Sequence, residues 1–238
     1  MAFVRYDCEA RSQATARRYP LQVSGTGASR TAGFVWEAAD IAWEIAAHGR
    51  RLAHAAVRFA SRIGLSAEET ELIRLGALLH DVGKHAIPPD LLLKRSPLTE
   101  LEFAIVREHP AIGERMCSQV SSARNVRSIV RHHHERLDGS GYPDRIGAGE
   151  IGLLPQIVGM IDVYDALCHP RAYKPALAVE TACAMLVAEA ARGWRSRGLV
   201  GAFVEMILAA PPSAGPGEDG QGALHAAELH VEHFVPFV

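Results

Sequence analysis

Three consecutive imidazoles, His132, His133 and His134, run into Glu135, Asp138, two glycines and Tyr142-Pro143 in the middle of a 238-residue chain. Neutral imidazole is the commonest borderline metal ligand in proteins, and neighbouring histidines at a helix end can each face a different ion of a paired site. The plainer alternative is a solvated helix end entering a turn, since Asp-Gly-Ser-Gly and Tyr-Pro are strong turn signals whatever the function. The choice depends on the partners that the rest of the chain supplies.

Partners are numerous. His80-Asp81 directly follows the apolar run Gly76 to Leu79 and precedes Gly83-Lys84; an ionisable pair there is costly to bury alone, although one side chain could simply orient the other. Gly83 permits close backbone approach, and Lys84 is a point charge suited to phosphate. Glu44, His48 and Arg51 share one side of a helix by their spacing, as ligands or as a surface ladder of alternating charge. His109 precedes Pro110, which pushes its backbone away from the α region and predicts a break between helices there. Asp162 and Asp165 interrupt the apolar stretch Leu153 to Leu167; the flanks of Asp162 argue for burial beside a cation, and Asp165 is placed as a hydrogen-bond acceptor behind a ligand. Arg171 and Lys174 could hold an anionic ligand or cap the preceding helix.

Together, His48, His80, Asp81, His109, His133, His134 and Asp162 supply nitrogen and oxygen enough for two octahedral ions, with Asp81 placed to bridge them. The set has no thiolate, and its mixed shell suits iron or manganese at least as well as zinc. Paired ions of this kind activate a bridging water for in-line attack on a phosphodiester while stabilising the leaving oxygen. Lys84, Arg171 and Lys174 would then neutralise phosphate oxygens.

The elements that must position these groups are helical. Aromatics make up 6% of the chain, and period-two β-branched runs are almost absent, whereas Ala, Leu, Glu and Arg recur at helical spacing. Helices are expected from Thr31 to Ile63, from the Ser66 capping box to Leu79, from Pro89 to Leu93, and from the Thr99 capping box toward His109. Further helices are expected over Ala111–Val120, Ala123–His134, Leu153–Leu167, Ala178–Ala191 and Leu199–Leu208. Residues 1–30 read as a poorly ordered leader, 31–210 as one domain and 211–238 as a flexible tail. A net charge of −2 without a basic block argues against a nucleic acid polymer as partner, and no apolar run approaches a membrane span. Four cysteines without C-x-x-C spacing read as free thiols of a cytoplasmic protein.

His80-Asp81 with Gly83-Lys84, and His133-His134-Glu135 followed by Asp138-Gly139 and Gly141-Tyr142-Pro143, resemble the HD core and the H-H-E-x-x-D-G-x-G-Y-P signature of the HD-GYP family. That family comprises cyclic-di-GMP phosphodiesterases within the HD-domain metal-dependent phosphohydrolases. The resemblance covers about residues 40 to 190 and is supported by His48 with Arg51, His109-Pro110, Asp162 in the Ile161 to Leu167 stretch, and Arg171 to Lys174. It implies an all-α HD-domain helical bundle with extra C-terminal helices. It also implies metal ligation by His48, His80, Asp81, His109, His133, His134 and Asp162, and catalytic roles for Asp81 and Lys84. Substrate contacts are implied for Lys84, Tyr142, Arg171 and Lys174.

The implied reaction is hydrolysis of cyclic-di-GMP, or a related 3′,5′-cyclic dinucleotide, to linear pGpG, GMP or both through a metal-bridging hydroxide. The alternative is a catalytically idle module that binds the dinucleotide or partner proteins. Two ions are expected, or three if Glu44 joins them as it does in members with a glutamate at that position. A signalling partner at the Gly-Tyr-Pro loop and a homodimer complete the expectations. Two departures bear on them: the usual lead-in to the first ligand is replaced by Ala42 to Ala47, and His132 adds an imidazole beside the signature pair, where Glu135 and Asp138 favour His133 and His134.

Overall fold

The computed structural model describes residues 28–170 and 175–209, with side chains from residue 39 onward. Most of the expected leader, all of the expected tail, and Arg171 and Lys174 lie outside the described residues, while the last three leader positions already belong to the first helix. The packed unit that carries the site begins at Asp40.

In chain order the helices are α1 (Ala28–Arg62), α2 (Ala67–Leu79), α3 (Pro89–Leu92), α4 (Glu100–Val106), α5 (His109–Ser118), α6 (Arg127–His132), α7 (Leu153–Cys168), α8 (Val179–Ala191) and α9 (Arg197–Leu208). Two 3-10 turns, Val82–Ala86 and Ser121–Val126, lie between them. No β-strand occurs among the described residues, only an isolated bridge between Asp138 and Gly147. The all-α expectation holds.

Local chemistry accounts for the helix boundaries. At α1 the chain reverses through Gly64, whose positive φ of 74° is the left-handed conformation that ends helices and suits glycine. Ser66 then accepts the Glu69 N–H while Glu69 Oε2 accepts the Ser66 N–H at 2.9 Å, the reciprocal box that starts α2. Thr99 and Glu102 repeat it at α4.

Two boundaries differ from the sequence reading. The break before α5 falls at Arg107-Glu108, and His109 is the first helical residue, with Pro110 in the first turn, where a missing N–H costs no intrahelical bond. The stretch expected as one helix from Ala123 is 3-10 up to Val126, and only Arg127–His132 is α-helical. Ser121, Ser122 and Asn125 are poor helix formers whose side chains compete for backbone groups, and Ala123 and Val126 are held by burial.

The core is built by spacing of three and four along α1, where Leu52, Ala56, Phe59 and Ala60 are all buried. Phe59 meets Phe203 of α9 edge to face with centroids 5.4 Å apart, and Tyr164 of α7 meets the same ring at 5.2 Å. Each such buried side chain contributes roughly 1.5 to 3 kcal/mol, more than a single cap, so packing of apolar faces decides how the helices sit together. The polar exceptions inside this apolar body are His48, His80, Asp81, His109, His133, Glu135, Asp162 and Asp165.

Candidate metal centre

Each helix brings its ligand candidate to a common interior point. His48 comes from the middle of α1, His80 caps α2, and Asp81 opens the first 3-10 turn. His109 begins α5, His133 caps α6, His134 follows it, and Asp162 projects from α7. Two close backbone approaches allow this. A Cβ on Gly83 would collide with the His109 carbonyl and the Gly113 amide, and one on Gly159 would collide with the His133 carbonyl. Glycine lets the backbones meet there.

Three of the imidazoles are oriented in the same way. His80 Nδ1 donates to the Ala77 carbonyl at 2.9 Å, His109 Nδ1 to Val106 at 2.8 Å and His133 Nδ1 to Val130 at 2.8 Å, in each case three residues back. A backbone carbonyl fixes a proton on Nδ1 and turns Nε2 inward, the atom a metal-ligating histidine offers. His48 is held differently: its Nδ1 donates to Asp165 Oδ2 at 2.7 Å, and its Nε2 lies 2.8 Å from Asp162 Oδ1.

Asp81 stands between two groups. Its Oδ1 faces His109 Nε2 at 3.2 Å and His133 Nε2 at 4.0 Å; its Oδ2 faces His80 Nε2 at 3.4 Å and His48 Nε2 at 4.0 Å. Asp81, His109, His133 and His134 can offer ligand atoms all within 4.8 Å of one another, and so can His48, His80 and Asp162. Buried at this point without a hydrogen-bond partner are His80 Nε2, Asp81 Oδ1, His134 Nε2 and Asp162 Oδ2. Buried polar atoms are nearly always partnered, so four orphans of ligand type facing one space fit divalent cations.

Electrostatics agree. Burial opposes ionisation of Asp81, but Lys84 and His80 outweigh it and hold the carboxyl well below the usual range. Asp162 is likewise held down against burial by His48 and His80. Burial alone would lower His80, yet Asp81 and Asp162 push it up to about 10, so that without an ion a proton supplies the positive charge. Burial and the neighbouring imidazoles His80 and His109 push His133 down to about 3, and burial with His133 and His109 holds His134 well below its usual range. Both are therefore neutral donors.

The remaining sequence candidates divide. Lys84 Nζ donates to Asp81 Oδ2 at 2.7 Å. Tyr142 stacks on His134 with centroids 4.7 Å apart and planes 30° from parallel. Glu44 is exposed and belongs to neither ligand group. His132 bonds instead to Asp144 at 3.1 Å, a carboxylate that Arg131 also grips from Nε and Nη2 at 2.6 Å, and it belongs to neither ligand group.

Sequence reasoning left two residues without a task. Glu135 Oε1 accepts the Asp144 and Arg145 N–H groups at 2.7 and 3.1 Å, anchoring the loop that carries Tyr142. Arg107 lies with its guanidinium carbon 4.3 Å from the Phe103 ring centroid and 5.2 Å from that of Tyr142. The four-residue spacing of Phe103 and Arg107, ending two residues before His109, was the one available signal.

Comparison with known proteins gives a consistent picture. Residues 38–195 match the HD domain family. The chain is 43% identical over 145 residues to the cyclic di-GMP phosphodiesterase response regulator RpfG of Xanthomonas campestris, covering 60% of this chain and 38% of RpfG. It is 47% identical over 103 residues to the cyclic di-GMP phosphodiesterase PA4108 of Pseudomonas aeruginosa, covering 42% and 24%. The match thus spans well under half the length of either relative. Among solved structures, Bd1817, an HDG"Y"P protein from Bdellovibrio bacteriovorus, superposes with a TM-score of 0.57 at 22% identity, over 69% of this chain and 52% of that one. At that identity the likeness concerns the fold.

Proposed function

This chain belongs to the HD domain family, and we propose that it is a metal-dependent phosphodiesterase that hydrolyses cyclic-di-GMP, or a related 3′,5′-cyclic dinucleotide, to pGpG, GMP or both. The observation that carries the reading is Asp81, whose two carboxylate oxygens face two separate sets of inward-pointing nitrogens. A single structural ion pair needs no such two-sided arrangement.

In this reading Asp81, His109, His133 and His134 would hold one ion, and His48, His80 and Asp162 would hold another. Iron or manganese suits the thiolate-free set. When bound, such ions supply Lewis-acid charge and acidify water at neutral pH. The chain's own groups do the rest. Backbone carbonyls of Ala77, Val106 and Val130 keep protons on the Nδ1 atoms, so the Nε2 atoms stay free to ligate. Lys84, beside Asp81, keeps that carboxylate ionised and places positive charge where phosphate oxygens would approach. Tyr142 stacks on His134, and Arg171 with Lys174 would complete the phosphate contacts.

The reading includes a cytoplasmic location, supported by the buried free thiols of Cys117 and Cys183. No helix among the described residues is long and apolar enough to cross a membrane. Protein purified anaerobically and loaded with iron or manganese is expected to convert cyclic-di-GMP to the linear dinucleotide or GMP, identified by chromatography. Turnover undiminished in both His80→Ala and Asp81→Ala would overturn the mechanism. Tight binding with no product would instead make the chain an idle dinucleotide-binding module.

A further inference from the structure

The cations around the centre differ in what holds them. Lys84 is paired with Asp81, Arg51 with Asp165 and Arg131 with Asp144. Arg107 is not held by a carboxylate among the described residues. Glu102, five residues before it, is occupied by Lys94 at 2.5 Å. Its head group is positioned by aromatic rings instead, Phe103 at 4.3 Å and Tyr142 at 5.2 Å, and its Nε is buried with no acceptor. Burying part of a guanidinium without an acceptor is unfavourable unless a ligand completes it.

Its location indicates which ligand. Tyr142 stacks directly on the ligand candidate His134, and the Arg107 guanidinium carbon lies 5.2 Å from the Tyr142 centroid, so a single ring separates Arg107 from that imidazole. Packing beside rings fixes the plane of the guanidinium and leaves donation to an acceptor lying in that plane. The preferred acceptor for that fork is a pair of oxygens on one phosphate. A cyclic dinucleotide has two phosphates, and only one can be at the metal centre during a given cleavage.

We propose that Arg107 binds the second, non-scissile phosphate of the cyclic dinucleotide, a substrate-binding role that rests on the phosphodiesterase reading above. This makes it a determinant of substrate class. It favours molecules with a second phosphate at a fixed distance over simple phosphodiesters.

The test compares two substrates on manganese-loaded protein, cyclic-di-GMP and the p-nitrophenyl ester of thymidine 5′-monophosphate, which has one phosphodiester and no second phosphate. Arg107→Met retains the stem that packs on the rings, and Arg107→Lys restores the charge. For Arg107→Met the expected result is a KM for cyclic-di-GMP raised about tenfold or more with kcat within about twofold, partial recovery in Arg107→Lys, and an unaltered response to the p-nitrophenyl ester. Equal losses on both substrates, or a fall in bound manganese, would mean that Arg107 acts through Tyr142 and His134, and the proposal fails. A loss on cyclic-di-GMP that spares cyclic-di-AMP would place the guanidinium on the guanine O6 and N7 edge instead, and also overturns it. Arg107→Lys serves as the arbiter where Arg107→Met does not fold. Wild-type protein inactive on both substrates removes the phosphodiesterase reading itself, whereas active wild type with unaffected Arg107 variants removes only this proposal.

Discussion

Asp165 Oδ2 accepts the Nδ1 proton of His48 at 2.7 Å, a contact across 117 residues of sequence. Arg51, one helical turn beyond His48 on α1, holds the same carboxylate from Nε at 3.0 Å and Nη2 at 2.7 Å. Burial opposes the charge on Asp165, but His169, His48 and Arg51 outweigh it and keep the group ionised. A carboxylate behind a histidine fixes the ring and raises its basicity toward a metal. Asp165→Asn keeps the shape, loses the charge, and is expected to weaken manganese binding by about 10- to 100-fold while the helical circular dichroism is retained. Isothermal titration gives the answer; unchanged affinity would mean that His48 does not depend on Asp165.

A second expectation concerns the backbone contact that joins the two halves of the centre. A Cβ on Gly83 would strike the His109 carbonyl and the Gly113 amide, both main-chain atoms that cannot move aside as a flexible side chain can. Gly83→Ala should therefore lower stability by about 1 to 3 kcal/mol or more, and shift His109 from Asp81. Gly149, whose added Cβ would meet nothing within 4 Å, is the matched control, expected to stay within about 0.5 kcal/mol. Denaturant melts of the two variants decide it, and equal midpoints would show that the approach at Gly83 is not tight.

The convergence of these side chains was legible because their residue types are expensive where they stand: His80-Asp81 at the end of an apolar run and Asp162 inside one have few tolerable settings. Capping boxes at Ser66 and Thr99 were legible because they are local hydrogen-bond patterns. What sequence spacing cannot encode is which way a side chain turns once helices pack. The outward turn of His132 depends on Asp144 in a later loop, and the two-sided placement of Asp81 depends on His109 and His48 arriving from α5 and α1. Glu44 shares a helix face with His48 by its spacing, yet it lies in an exposed stretch of α1 while His48 is buried. The 3-10 turn Ser121–Val126 was missed because the helical period on either side was weighed above the poor helix formers Ser121, Ser122 and Asn125.

Metal binding is expected to release a proton at neutral pH. In the ion-free chain Asp81 and Asp162 hold the proton of His80 up to about 10, while a ligating imidazole must be neutral. The sign follows: below that value an incoming ion displaces the proton, so affinity rises with pH by up to about tenfold per unit and levels off only above it. Calorimetric titrations at one pH in buffers of different ionisation heat measure the proton directly. A binding heat independent of buffer would mean that His80 is already neutral or is not a ligand.

The same orphaned atoms predict how the protein responds to metal removal. Without an ion, His80 Nε2, Asp81 Oδ1, His134 Nε2 and Asp162 Oδ2 are buried with no hydrogen-bond partner, an arrangement that folding must tolerate and that binding relieves. An ion that binds only the folded chain, at a hundred times its Kd, adds about 2.7 kcal/mol, which for a protein of this size corresponds to roughly 5 to 10 °C in Tm. Chelator-treated protein should melt that much lower than protein with manganese restored. The Asp81→Ala variant, which loses the carboxylate that faces both groups, should show little of the increment. A wild-type melting temperature indifferent to manganese, iron and zinc alike would mean that these side chains converge for a reason other than holding metal.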